Sequence, residues 1–169
     1  MFGRDPKSNL AVVAHAGVGN GDRVLDIGCG PGASLDLAYL AGAEVYGVDP
    51  SPGMVKRASR RLPFATVVEG SAEDLEFADG LFTHVWTISA FHHWADARKG
   101  IEEANRVLAP GGQLLIVERK LKDGKTGHGI SRQDADSLAE TLAEHGFDDP
   151  QVETLRAGRS NYLVVSGRA

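Results

Sequence analysis

The stretch Asp26-Ile27-Gly28-Cys29-Gly30-Pro31-Gly32 constrains this chain more than any other. It stands between a short apolar run, Val24–Ile27, and a helical run with Leu35, Ala38 and Tyr39 on one side and Gly42 at its end. A second apolar run, Glu44–Asp49, follows and ends on an acid. Strand, glycine loop, helix and strand in this order make a βαβ unit, which needs a parallel sheet covered on both faces. Ligands of such sheets bind outside the carboxyl ends of the strands, near the point where the strand order reverses. Glycines there let the backbone approach a ligand that a Cβ would hold off. The chain of 169 residues has 21 glycines, about one in eight, against a usual share of roughly 7%.

The rest of the chain extends the same alternation. Asp5-Pro6 reads as a helix N-cap and first helical residue, opening a helix to about Gly17 whose apolar face is Leu10, Val13 and Ala14. Ser51-Pro52 opens a helix running to about Arg61, Ala65–Val68 is a third strand and Thr83–Ser89 a fourth. Asp96–Leu108 is a helix that stops at a Pro110-Gly111-Gly112 turn, and Gln113–Glu118 is a fifth strand. Ser131–His145 is a helix with Ala135, Leu138, Ala139 and Leu142 at i, i+3, i+4 and i+7, a Ser131/Asp134 capping box, and Gly146 closing it. Val152–Leu155 and Tyr162–Val165 are the last two strands. Only Arg156–Asn161 joins them, and a parallel crossover needs a dozen or more residues, so they pair antiparallel.

Composition narrows the function classes. With 18 Lys and Arg against 23 Asp and Glu the net charge is −5, which argues against a nucleic-acid partner. A lone cysteine, Cys29, excludes an internal disulfide framework. The apolar runs are too short to span a bilayer and no signal-peptide pattern opens the chain, so the expectation is a cytoplasmic protein without a membrane partner. One domain, 1–169, is expected from the length. His15, His84, His128 and His145 are scattered, so no metal site is expected. Glu102 and Glu103 read as part of a solvated helix face.

Two cofactors fit the glycine loop. Gly28, Gly30 and Ala33 satisfy G-x-G-x-x-A, and Asp49 lies nineteen residues after Gly30, a pattern compatible with NAD. Asp26 counts against it: a carboxylate beside an anionic pyrophosphate is unhelpful, whereas it would pair with an ammonium. The antiparallel ending also departs from the dinucleotide-binding pattern.

The run Val24–Gly32 resembles the first motif of class I S-adenosylmethionine-dependent methyltransferases. The likeness continues through Asp49-Pro50-Ser51, Glu69–Leu75, Phe91-His92-His93-Trp94 and Arg106–Gly112, and covers roughly residues 20 to 169. The subgroup it is most similar to is the small-molecule methyltransferases of the ubiquinone and menaquinone type. This resemblance implies a Rossmann-like, doubly wound α/β sheet of seven strands, mostly parallel, in the order three-two-one-four-five-seven-six with strand seven antiparallel. It implies S-adenosylmethionine as cofactor, S-adenosylhomocysteine as product, and direct displacement onto a small-molecule acceptor. Gly28, Cys29 and Gly30 would pass close to the methionine part, Asp26 near its amino group, and Asp49 on the ribose hydroxyls. Pro50 and Met54 would flank the adenine, with Ala72 offering a backbone N–H to it. The residue before it is often Asp in the family and is Ser71 here, with Glu73 a substitute. Ser89 and Ala90 would line the methionine end.

His92 and His93 are the candidate bases, needed only if the acceptor loses a proton; Trp94 is either a core residue or a stacking wall. Cys29 also reads as a small residue fitted between glycines. Residues 119–130, basic and glycine-rich, read as a mobile loop or short lid. Two other functions remain open at this point: a SAM-binding module without catalysis, and an NAD-dependent oxidoreductase. A homo-oligomer is compatible with all three.

Overall fold

The computed structural model describes residues 6–122 and 125–169. The expected cap Asp5 and the loop residues Asp123 and Gly124 lie outside them. The elements are α1 (Pro6–Ala16), β1 (Arg23–Ile27), α2 (Ala33–Leu40), β2 (Glu44–Asp49), α3 (Pro52–Arg61), β3 (Thr66–Glu69), β4 (Phe82–Ile88), α4 (Ala97–Val107), β5 (Leu108–Arg119), α5 (Arg132–Glu144), β6 (Asp148–Ala157) and β7 (Ser160–Arg168).

All seven strands form one sheet in the order β3-β2-β1-β4-β5-β7-β6. β1 pairs parallel with β2 and β4, and the β2–β3 and β4–β5 pairs are parallel too. β7 alone runs antiparallel, between β5 and β6. The doubly wound sheet and its reversed last strand agree with the expected topology. The strand order turns at β1, between β2 and β4, and this switch point opens beside the glycine loop.

Alternation along the strands sends side chains to two separate cores. Leu25, Ile27, Val85, Leu114 and Ile116 face α4 and α5, where Ile101, Ala104, Ala135, Leu138 and Leu142 meet them. Val24, Val45, Trp86, Leu115 and Val117 face the opposite layer, built by Val12 and Val13 of α1 and Leu35 and Ala38 of α2. Each fully buried Leu or Ile contributes about 1.5–3 kcal/mol. No helix among the described residues is long and apolar enough to cross a membrane.

Four local expectations change. The buried face of α1 is Ser8, Asn9, Val12 and Val13, while Leu10 is 58% exposed and Ala14 is exposed. The helix is turned by one position, about 100°, because Val12 and Val13 together reach the core that Val24 and Leu35 share. Tyr39 leaves the α2 core face and stacks on Phe64, with ring centroids 3.6 Å apart. Pro110-Gly111-Gly112 is not a turn between elements. It lies within β5 as a bulge, where pairing with β4 shifts between Phe82 and His84 and Gly111 N donates to Ala169 O at 2.7 Å.

Glu103 is the fourth. It leaves the solvated face and accepts from Leu75 N at 2.8 Å and from Arg106 Nε at 2.8 Å. Arg106 in turn donates to the carbonyls of Leu75 and Phe77 and to Asp79. The pair ties the loop before β4 onto α4. The Arg106 bond holds the Glu103 carboxyl below its usual range, against the upward pull of burial. A carboxyl depressed in the folded state stabilises above its unfolded value, about 4.3 for Glu, and that contribution is lost as pH falls through the folded value. Acid melting profiles are expected to show it: Glu103→Gln flattens part of the loss of thermal midpoint below about pH 4.3. A variant curve parallel to wild type would remove the clamp's role.

Candidate active site

The carboxyl ends of β1, β2, β3, β4 and β5 lie along one edge, since Ile27 pairs with Val48, Asp49 with Glu69, and Ile88 with Val117. The loop after β1 is hung from β2. Gly28 N and Cys29 N both donate to Val48 O, at 2.8 and 3.0 Å, and Gly30 N donates to Asp49 Oδ2 at 2.8 Å. Gly28, Gly30 and Gly32 all have left-handed φ, at 76°, 55° and 79°. Only glycine holds three such positions in five residues without strain. The result is a loop at the switch point with no Cβ at three of its five positions, Gly28, Gly30 and Gly32.

Asp49 is 8% exposed and sits at the end of β2. Its Oδ2 takes Gly30 N and its Oδ1 takes Ser51 N at 2.9 Å. A carboxylate offers about four lone-pair sites. These two bonds leave capacity for two further donors, which is what a ribose diol presents. The residues present therefore fit a nucleoside-bearing cofactor on this loop.

Other expected contacts are distributed unevenly. Asp26 is fully buried and accepts from the Ser34 hydroxyl of α2, bracing the junction of loop and helix. The Cys29 side chain is fully buried in the core of the α1–α2 layer, against Gly47, so only its backbone belongs to the loop surface. Pro50 is exposed and Met54 half-buried at the start of α3. Ala72 is buried in the α4–α5 core. Glu73 accepts from Asp96 N at 3.1 Å, which ties the Ser71–Glu73 turn to the N-terminus of α4. Burial raises the Glu73 carboxyl, but the bonds from Asp96 N, its own backbone N–H and the Ser71 hydroxyl outweigh it and hold the group low.

Ser89 closes β4 with a left-handed φ of 51°, its N–H on Val117 O at 2.8 Å, and Ala90 is buried beside it. Non-glycine residues in that region carry of order 1–3 kcal/mol of strain and concentrate at functional sites.

Phe91–His93 form one turn of 3-10 helix after β4. Of the two adjacent histidines, His92 borders a cavity of about 420 Å³ and His93 does not. The cavity lies between that turn, α4, the end of β5 and α5. Its walls include Phe91, Ile101, Ile130 and Leu138, with Glu118 and His92 among its polar groups. Glu118 is 2% exposed, and both its oxygens lie 3.1 Å from His92 Nδ1. Reading the sequence missed Glu118 as a site residue. The signal was present, an acid closing the apolar run Leu114–Val117, but its partner is twenty-six residues away.

Trp94 is a core residue rather than a wall for a ligand. It packs on the α4–α5 core and against Phe91, and a Cβ on Gly100 would lie 2.5 Å from its ring. Gly100→Ala is expected to cost about 1–3 kcal/mol by overpacking, despite alanine's higher helix propensity. Denaturant melts would reveal it, and an unchanged or raised midpoint would contradict the packing argument.

The loop expected to be mobile is pinned at its described ends. Ile130 N donates to Arg119 O and Leu121 N to Ile130 O, both at 2.9 Å. His128 is not scattered. Its Nδ1 lies 3.1 Å from His92 Nε2.

Comparisons with known proteins identify the family that shares this fold. A family model described as a methyltransferase domain matches residues 25–116, more than half of the chain. An uncharacterised methyltransferase of Synechocystis sp. is 39% identical over 119 residues, covering 69% of this chain and 53% of that protein. A demethylmenaquinone methyltransferase of Beutenbergia cavernae is 38% identical over 118 residues, covering 69% of this chain and 49% of its own length. The chain thus spans about half the length of these curated relatives. The crystal structure of a SAM-dependent methyltransferase from Aquifex aeolicus superposes with a TM-score of 0.77 at 21% identity, covering 97% of this chain and 89% of that one, which is a likeness of fold. The NAD reading of the glycine loop falls with these matches, and the chain belongs to the S-adenosylmethionine-dependent methyltransferase family.

Proposed function

We propose that this protein transfers a methyl group from S-adenosylmethionine to a small molecule bound in the cavity beside His92. The observation that carries the reading is the cavity's position. It opens on the β4–β5 side of the same sheet edge that holds the glycine loop and Asp49. Bound S-adenosylmethionine supplies a methyl already activated on a sulfonium, so no enzyme nucleophile is needed.

Each residue then has a defined task. Asp49 accepts the ribose hydroxyls while fixing Gly30, and Gly28 and Gly30 give the methionine part a surface without side chains. Ser71 and the backbone N–H of Ala72 face the adenine, which Pro50 and Met54 flank, and Ser89 and Ala90 border the methionine end. Asp26 supports the loop from behind. The apolar cavity walls exclude water and orient the acceptor, and orientation alone contributes about 7–11 kcal/mol to such a step.

His92 holds the proton-accepting position. A carboxylate only accepts, so Glu118 keeps the hydrogen on His92 Nδ1. The Nε2 lone pair, which faces His128 Nδ1 at 3.1 Å, takes the acceptor's proton once the exposed His128 ring turns aside. His93 stands outside the cavity and has no such task.

The test is labelled-methyl transfer to a panel of metabolites, opening with demethylmenaquinone because a relative bears that substrate's name. Transfer to an acceptor that also protects the wild-type protein from thermal unfolding supports the reading. Cofactor binding with no transfer to any phenol, hydroquinone or amine would make the chain a binding module instead.

A further inference from the structure

We infer that His92, His93 and His128 form a binding site for a divalent transition-metal ion of the zinc type. Each can bring one imidazole nitrogen into a group whose atoms lie within 4.8 Å of one another. The ring centroids of His92 and His93 are 4.0 Å apart, and those of His92 and His128 are 5.1 Å apart. His92 Nε2 and His128 Nδ1 approach to 3.1 Å. In a tetrahedral site with Zn–N of about 2.0–2.1 Å, two ligand nitrogens stand about 3.4 Å apart. Rotation of exposed rings covers the remaining difference.

A second observation points the same way. Glu118, buried at the end of β5, holds His92 Nδ1 from behind. A carboxylate behind a histidine is the arrangement that fixes the tautomer and turns the other nitrogen to a metal. The three imidazoles come from two segments: His92 and His93 from the turn after β4, and His128 from the loop after β5. That loop is anchored by the pairing of Ile130 with Arg119 and Leu121, so His128 arrives at a fixed place. Imidazole donors without thiolate or a carboxylate in direct contact suit Zn²⁺, Cu²⁺ or Ni²⁺ rather than Mg²⁺ or Ca²⁺. Three protein ligands leave a fourth tetrahedral position for water or a ligand atom. The site shares His92 with the proposed methyl transfer, so a bound metal and proton transfer at that ring exclude each other. One lone pair on Nε2 serves a metal or a proton, not both, so the binding test is run without cofactor or acceptor.

The experiment is calorimetric titration of the untagged chain with Zn²⁺, and with Co²⁺ as a visible-absorption probe, against a Mg²⁺ control. One saturable equivalent of Zn²⁺ is expected, with Co²⁺ giving ligand-field bands and Mg²⁺ no heat. His128→Ala, an exposed change that leaves Glu118 in place, is expected to weaken Zn²⁺ binding at least tenfold, as is His93→Ala. Glu118→Gln is expected to weaken it about 10–100-fold. His15→Ala, far from the cluster in α1, leaves it unchanged. Absence of a saturable equivalent in wild type, or a loss below tenfold in His128→Ala, overturns the site.

Discussion

Asp49→Ala is expected to weaken S-adenosylmethionine binding by about 10²–10⁴-fold. Two hydrogen bonds from a ribose diol to a charged acceptor contribute about 1.5–3 kcal/mol each, and every 1.4 kcal/mol is a tenfold change in affinity. The substitution also releases Gly30 N and Ser51 N, which Asp49 holds at 2.8 and 2.9 Å, so the glycine loop loses its tie to β2. The thermal midpoint should fall with the affinity. Asp49→Asn separates the two effects: it keeps one oxygen for Gly30 or a ribose hydroxyl but presents an amide where a second acceptor is needed. Its affinity should fall between wild type and Asp49→Ala. Calorimetry with S-adenosylmethionine, S-adenosylhomocysteine and NAD reads all of this, and NAD should give no saturable heat. A folded Asp49→Ala protein within threefold of wild-type affinity would sink the assignment of the loop.

His92→Ala is expected to lower kcat by about 10²–10⁴-fold, the usual contribution of a placed general base, with cofactor affinity unchanged. The split matters, since a wall residue would raise KM instead. Glu118→Gln tests positioning separately. Gln can still accept the Nδ1 hydrogen but carries no charge to stabilise the imidazolium, so the rate should fall less and its pH profile shift. Single-turnover rates across pH 5 to 9 would show both. A His92→Ala enzyme with kcat within threefold of wild type would leave the cavity to act by orientation alone.

Much of the fold was legible because its signals are local. The loop Gly28–Gly32 has a conformational requirement that only glycine meets, so it announces itself wherever it stands. Helix α5 buries Ala135, Leu138 and Leu142 at i, i+3 and i+7, and its cap is present as expected, with Asp134 N on Ser131 Oγ at 3.1 Å. The short Arg156–Asn161 connection dictated the antiparallel β6–β7 pair by reach alone. Where local signals were ambiguous, packing decided. On α1 the sequence offered Leu10, Val13 and Ala14, and the core took the face with Val12 and Val13.

Residues whose roles depend on distant partners were the ones missed. Glu103 looked like a solvated charge, yet a loop at Leu75–Asp79 folds back onto it and Arg106. Trp94 could have been wall or core until the absence of a Cβ at Gly100 gave its ring a seat.

The sequence by itself therefore determined the alternation of strands and helices, the glycine loop and the acid that closes β2, because each is written in residues close along the chain, while the strand order came through the family resemblance. The tertiary structure alone decided which side chains meet around the cavity beside His92. Glu118 meets His92 only because β4 and β5 end side by side, and His128 joins them only because Ile130 pairs with Arg119. Burial supplies the reason: a carboxylate removed from water needs a donor, and the nearest one comes from another strand end.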